Sequence, residues 1–223
     1  GLGEDLFEAA SKWLGGLRGG LAISTTLGAA AFGAASGSSV GTATVFTKLA
    51  LPQMLNRGYD KSLASASIAI AGTLAVMIPP SALVVVYGIL TDSSIGALLI
   101  AGFIPGILFA LILCVAIWVR VRMNPELAPM ETTTYSLREK VLSLRMAGPL
   151  VLIIAAIVSG LYLGIFTPTE AGGIGAMLTL VLALIRHRGF KGIALKDTLM
   201  ETMRTTAMIF AILMCALVFS KFL

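Results

Sequence analysis

The chain has 223 residues, of which 57% are hydrophobic and 12% charged, and its mean hydropathy is +0.97. A soluble domain carries about 25% charged residues, so this composition excludes a freely soluble globular class and indicates a membrane protein. The net charge of +5 reads as Lys and Arg gathered in loops on the cytoplasmic side, not as a surface for nucleic acid or another anionic partner.

Residues 1–18 read as a short amphipathic helix. Leu6, Phe7, Ala10, Trp13, Leu14 and Leu17 fall on one side, and Glu4, Asp5, Glu8, Lys12 and Arg18 on the other. Such a helix suits the bilayer interface with Trp13 at headgroup level; packing against another subunit explains the pattern equally well. Residues 19–51 come next. The run from Gly19 to Thr47 is uncharged, yet its centre holds Gly33, Ser36, Gly37, Ser38, Ser39, Gly41 and Thr42. Each half is shorter than the roughly 20 residues that cross a bilayer. The reading is a re-entrant hairpin of two half-helices with its tip at Ser36 to Ser39; a single Gly/Ser-rich span used for tight helix packing is the alternative.

After a polar connection containing Pro52 and the turn Arg57-Gly58-Tyr59-Asp60, residues 62–90 form a second uncharged run broken at Pro79-Pro80. A Pro pair cannot maintain a helical hydrogen-bond ladder, so a discontinuous transmembrane helix is expected. Residues 95–119 read as a span kinked at Pro105, and 120–146 as a cytoplasmic loop. Residues 147–166 and 171–185 read as spans, 186–204 as a cytoplasmic amphipathic connection, and 205–223 as a last, incomplete span. Cys114 and Cys215 sit in separate spans and read as small hydrophobes. If residues 19–47 enter and leave on one side, all but Lys221 of the sixteen Lys and Arg residues share one face. If that segment crosses, Lys12 and Arg18 are stranded opposite, so the positive-inside rule favours the hairpin.

Opened backbone at membrane depth survives only where protein buries it or a water-filled cavity meets it. Two such openings close in sequence mark a solute site in a secondary transporter. At the first, Ser36, Ser38 and Ser39 offer hydroxyls and Gly37 allows a turn that points carbonyls inward. Oxygen ligands without a carboxylate suit a weakly bound hard cation such as Na⁺, whereas transition metals want His or Cys. Val40 begins the second half-helix, whose amide end favours an anion. At the second, Gly72 and Thr73 precede Ile78-Pro79-Pro80-Ser81. The carbonyls of roughly residues 74–76 are expected to lose their helical donors, and Ser81 to cap the following half-helix. The bland alternatives are a Ser/Gly packing motif and a kink used only for packing. Thr167-Pro168-Thr169-Glu170 reads as a capping box; a coupling or proton-relay role for Glu170 is the less economical reading. No P-loop, nucleophile elbow or Cys/His cluster is present, so no enzyme and no cofactor are expected.

With these motifs the chain resembles the large membrane subunit of tripartite ATP-independent periplasmic (TRAP) transporters. The resemblance rests on Ser36-Gly37-Ser38-Ser39, Leu51-Pro52 with Arg57-Gly58-Tyr59, Gly72-Thr73-Leu74 before Ile78-Pro79-Pro80-Ser81, and Tyr87-Gly88. It continues through Phe166-Thr167-Pro168-Thr169-Glu170-Ala171 and Arg204-Thr205-Thr206-Ala207-Met208-Ile209. Ala75 stands where the family usually has Gly, and Gly172-Gly173 where Ala is usual. The resemblance implies an all-α polytopic membrane protein of the ion-transporter-superfamily type, working as an elevator in a bacterial inner membrane. This chain would hold only the first hairpin and first broken helix of two inverted repeats. It also implies Na⁺-driven uptake of an organic acid such as a dicarboxylate or sugar acid, with Na⁺ as coupling ion and no other metal. The implied partners are a small membrane subunit and a periplasmic solute-binding protein. Carried over residue by residue, Na⁺ would involve Ser36, Gly37, Ser38, Ser39, Gly72, Thr73 and the carbonyls near Ile78. The substrate would lie against Ser39, Val40, Pro79, Pro80 and Ser81. A stand-alone carboxylate/Na⁺ symporter and a non-transporting scaffold subunit remain the other readings.

Overall fold

A computed structural model describes residues 2–129, 135–187 and 195–222. Residues 130–134 and 188–194 of the two expected polar connections lie outside the described residues. The described chain is helical: α1 (Leu2–Leu14), α2 (Gly20–Ser36), α3 (Ser39–Asn56), α4 (Lys61–Met77), α5 (Ala82–Leu90), α6 (Ile95–Met123), α7 (Leu137–Tyr162), α8 (Pro168–His187) and α9 (Leu195–Phe222), with one 3-10 turn at Pro125–Leu127. Four of these, α6 to α9, are long and apolar enough to cross a membrane; α4 and α5 make a fifth if the pair, bent by 47°, counts as one span. The molecule is therefore a multi-pass membrane protein.

Local chemistry sets the ends. Asp60 caps α4 by accepting the Leu63 amide at 3.0 Å, and Ser94 caps α6 through the Ala97 amide. Ser136 and Glu139 form a reciprocal capping box on α7, which satisfies two of the amides that a helix start leaves orphaned. That box starts α7 at Leu137, well before the expected span at 147. Likewise α9 begins at Leu195, not 205. Both differences have one cause: the helices continue past the apolar run into polar turns. α3 similarly runs through Pro52 to Asn56, so the expected polar connection after residue 47 is largely helix.

The ends of the elements fix their arrangement. The Leu21 amide at the start of α2 donates to the Tyr59 hydroxyl just beyond α3. A Cβ placed on Gly19 would lie 3.1 Å from Val121 near the end of α6. The Asp60 amide donates to the Leu127 carbonyl at 2.9 Å. The start of α2, the end of α3, the start of α4 and the end of α6 thus share one end of the bundle. α2 and α3 form a helical hairpin whose open ends lie there and whose tip, Gly37-Ser38, points away. The core of this end is Phe7, Leu21, Phe46, Met54, Leu63, Ile68 and Val121, with Phe46 edge-on to both Phe7 and Phe32.

Much of the apolar face of α1 is covered by neighbouring helices. It packs inside the bundle, with Leu6 and Ala9 against Ala147 and Leu150 of α7 and against Ala31 and Phe32 of α2. A Cβ on Gly3 would meet Val45 and Phe32, so α1 folds back along α2. Asp5, placed on the polar face by periodicity, is only 4% exposed. Arg186 of α8 encloses it: Nη1 donates to Oδ2 and Nη2 to Oδ1, the latter at 2.9 Å. A buried carboxylate is tolerable once a guanidinium engages both oxygens.

Candidate functional site

The two breaks in the sequence meet in space. α2 ends at Gly37, which has φ 61° and donates its amide to the Gly33 carbonyl at 2.7 Å. Glycine suits that left-handed position. A Cβ there would also stand 2.8 Å from the Pro80 carbonyl oxygen, so the hairpin tip lies directly on the break between α4 and α5. Two further close approaches hold the tip in place. A Cβ on Gly33 would sit 2.6 Å from that of Ala75, and one on Gly72 would sit 3.0 Å from that of Ala43 and 3.2 Å from the Ser39 carbonyl. Small residues allow backbone-to-backbone packing that membrane helices use where the hydrophobic effect gives no help.

At the tip, Ser38 is the N-cap of α3, its hydroxyl accepting from the Gly41 amide at 3.1 Å. Ser36 Oγ lies 3.1 Å from Thr42 Oγ1. Thr42 is 0% exposed and went unassigned at sequence level. Its signal was there: hydroxyls placed on both sides of a Gly turn face one another across it. Ser39, Gly37 and Ser38 are half-buried.

At the break, Ile78 is extended and its amide still donates to the Leu74 carbonyl at 3.0 Å. The expectation that carbonyls 74–76 are all released is corrected here. Leu74 keeps its donor, and the carbonyls released are those of Ala75 and Val76, whose partners four residues on are Pro79 and Pro80 without N–H. The Pro79–Pro80 peptide is cis. Ser81 precedes α5 as expected, but its side chain makes no cap bond, which corrects that expectation. Its hydroxyl oxygen is buried without a hydrogen-bond partner, in a residue 1% exposed. A buried hydroxyl left unpaired carries a penalty of about 1–3 kcal/mol, and such a group calls for a ligand or water.

Four helix ends therefore converge. α2 and α4 bring carbonyl ends, and α3 and α5 bring amide ends. Carbonyl ends carry partial negative charge and favour a cation; amide ends favour an anion. No cluster of three His, Cys, Asp or Glu that could hold a metal occurs among the described residues. The oxygens present, from hydroxyls and main chain, are of the kind that suits a hard cation.

Not every expected residue joins this cluster. Thr73 is exposed and its hydroxyl donates to the Ile70 carbonyl at 2.6 Å. Val40 is 75% exposed. Thr167 and Glu170 close on each other: Glu170 Oε2 accepts from both the Thr167 amide and hydroxyl at 2.9 Å, and Thr167 Oγ1 accepts the Glu170 amide at 3.3 Å. Thr169 is exposed beside them. That turn is a helix cap with its bonds satisfied locally.

The model of the tripartite ATP-independent periplasmic transporter, DctM component, matches residues 1–223. The chain belongs to the DctM family. It is 36% identical over 223 residues to a Pseudomonas aeruginosa protein named C4-dicarboxylate TRAP transporter large permease protein DctM, covering 100% of this chain and 52% of that relative. A Ruegeria pomeroyi ectoine/5-hydroxyectoine TRAP large permease, UehC, is 33% identical over 96% of this chain and 50% of its own length. An Oleidesulfovibrio alaskensis isethionate TRAP permease, DctMQ, is 32% identical over 99% of this chain and 34% of its own. This DctM-family chain spans about half the length of the DctM relative it matches.

Proposed function

We propose that this chain carries one half of the transport site of a TRAP large permease, with Na⁺ and an organic anion held where the hairpin tip meets the broken helix. One observation carries the reading: Gly37 lies against the Pro80 carbonyl beside the buried, unpartnered Ser81 hydroxyl. In this reading the α2–α3 hairpin is re-entrant and moves with α4 and α5 as an elevator in a bacterial inner membrane. Na⁺ is held by hydroxyl and carbonyl oxygens of Ser36 to Ser39, Gly72 and the residues before Ile78. Occupancy there pulls the tip and the break into register. The α3 and α5 amide ends, with Ser81, then receive the acid.

The relatives are named for C4-dicarboxylate, isethionate and ectoine. Their shared chemistry is one carboxylate or sulfonate, which matches a half-site offering helix amides and no Lys or Arg. A periplasmic binding protein would deliver the solute and a small membrane subunit would brace the carrier. The test is uptake by the complete permease in proteoliposomes, with and without binding protein, against a panel of organic acids. Uptake is expected only with an inward Na⁺ gradient. Ser38→Ala should raise the Na⁺ concentration for half-maximal uptake, and Thr73→Ala should do so less, because its hydroxyl is bonded within its own helix. Wild-type Na⁺ titrations for Ser38→Ala would refute the assignment.

A further inference from the structure

At the opposite end of the bundle from the hairpin tip, a cavity of about 250 Å³ opens between α4 and α6. Much of its wall is apolar, from Leu63, Ala66 and Ile70 on α4 and Leu113 and Ile117 on α6, with Thr26 of α2 and Ser67 also lining it. Asp60, Ser62 and Arg120 bring polar groups to it. Arg120 also borders an outer groove of α6 formed by Leu111, Ile112, Val115 and Val119, and Ala116 lines both. One basic residue therefore joins two apolar channels.

The level of this site in a bilayer follows from its neighbours. Arg120 is in the last turn of α6, and the Arg122 guanidinium lies 5.3 Å from the Trp118 ring. The other tryptophan, Trp13 of α1, lies against the start of α7, where its ring nitrogen donates to the Lys140 carbonyl at 3.1 Å. Tryptophans beside basic residues mark the headgroup layer. Asp60 uses Oδ1 to cap α4.

We propose that this cavity is a binding site for a zwitterionic aminophospholipid. Arg120 takes the phosphodiester and Asp60 the ammonium. One acyl chain enters between α4 and α6, and the other lies along the outer groove of α6. The paired acid and base favour this headgroup over a purely anionic one, which Asp60 repels. An occupant there would wedge against α4, the element that carries the transport break at its other end.

The test uses the purified full-length permease, photolabelled in nanodiscs with a photoactivatable phosphatidylethanolamine or phosphatidylglycerol and mapped by peptide. Phosphatidylethanolamine is expected to label peptides spanning residues 60–70 and 111–120 preferentially. Arg120→Gln should reduce that label roughly tenfold, the scale of losing one charge-assisted hydrogen bond. Asp60→Ser keeps a capping oxygen and should abolish the preference over phosphatidylglycerol. Ala66→Phe, filling the cavity, should remove label from α4 while leaving the thermal midpoint within a few degrees. Equal labelling by both lipids in the parent, or label unchanged by Arg120→Gln and Ala66→Phe, would overturn the proposal.

Discussion

At the scale of single residues, the backbone contacts of the site make sharp demands. Gly33→Ala pushes a methyl group into Ala75 at 2.6 Å, and the next atom met is the Ala75 Cα at 2.7 Å, so no flexible side chain can give way. The expected loss is about 1–3 kcal/mol of stability, read as a lower thermal midpoint together with lost uptake. Gly172→Ala is the control: nothing lies within 4 Å of its Cβ, and Ala is the better helix former by about 1 kcal/mol. Its midpoint should equal or slightly exceed the parent's with normal uptake. Ser81→Ala separates stability from function. Removing a buried hydroxyl with no partner should leave the midpoint unchanged or higher, while the substrate concentration for half-maximal uptake rises. A lower midpoint would show that the hydroxyl is bonded within the fold.

At the scale of elements, the Asp5–Arg186 pair ties α1 to the far end of α8. Asp5→Asn leaves Arg186 without its counter-charge and should cost about 1–3 kcal/mol, below the figure for a fully buried pair because Arg186 is partly exposed. The exchanged double variant, Asp5→Arg with Arg186→Asp, should recover part of that loss in the same denaturation assay; no recovery would place the effect in α1 packing instead. This pair was not legible in the sequence, since nothing local links positions 181 apart. The breaks were legible because Gly-Ser clusters and Pro-Pro act on the backbone within a few residues, and both appear where the chain opens. α7 and α9 extend beyond the expected spans because an apolar run reports contact with lipid, whereas capping residues such as Ser136 decide where the helix begins. The unpaired state of Ser81 needed three dimensions, since it depends on which groups the turn brings near.

At the scale of the whole molecule, Arg57, Lys61, Arg120 and Lys140 come from elements that meet at one end, away from the hairpin tip. The positive-inside rule then predicts that this end faces the cytoplasm. In a variant lacking Cys114 and Cys215, cysteines at Lys48 and Arg138 should react with an impermeant maleimide only from the cytoplasmic side, and cysteines at Asp92 and Thr169 only from the periplasmic side. Labelling of Lys48→Cys from the periplasm would mean that α2 crosses the membrane singly and that the hairpin reading fails.

The seam between the α2–α3 hairpin and α4 has a mechanical meaning. With Gly33 pressed on Ala75 and Gly72 on Ala43, neither backbone can ratchet past the other without methyl groups colliding. The hairpin and the first half of the broken helix are keyed together like a bolt in its slot. Under the proposed elevator this lock would travel as one body, so the cradle would keep the same walls on both sides of the bilayer while only its surroundings changed.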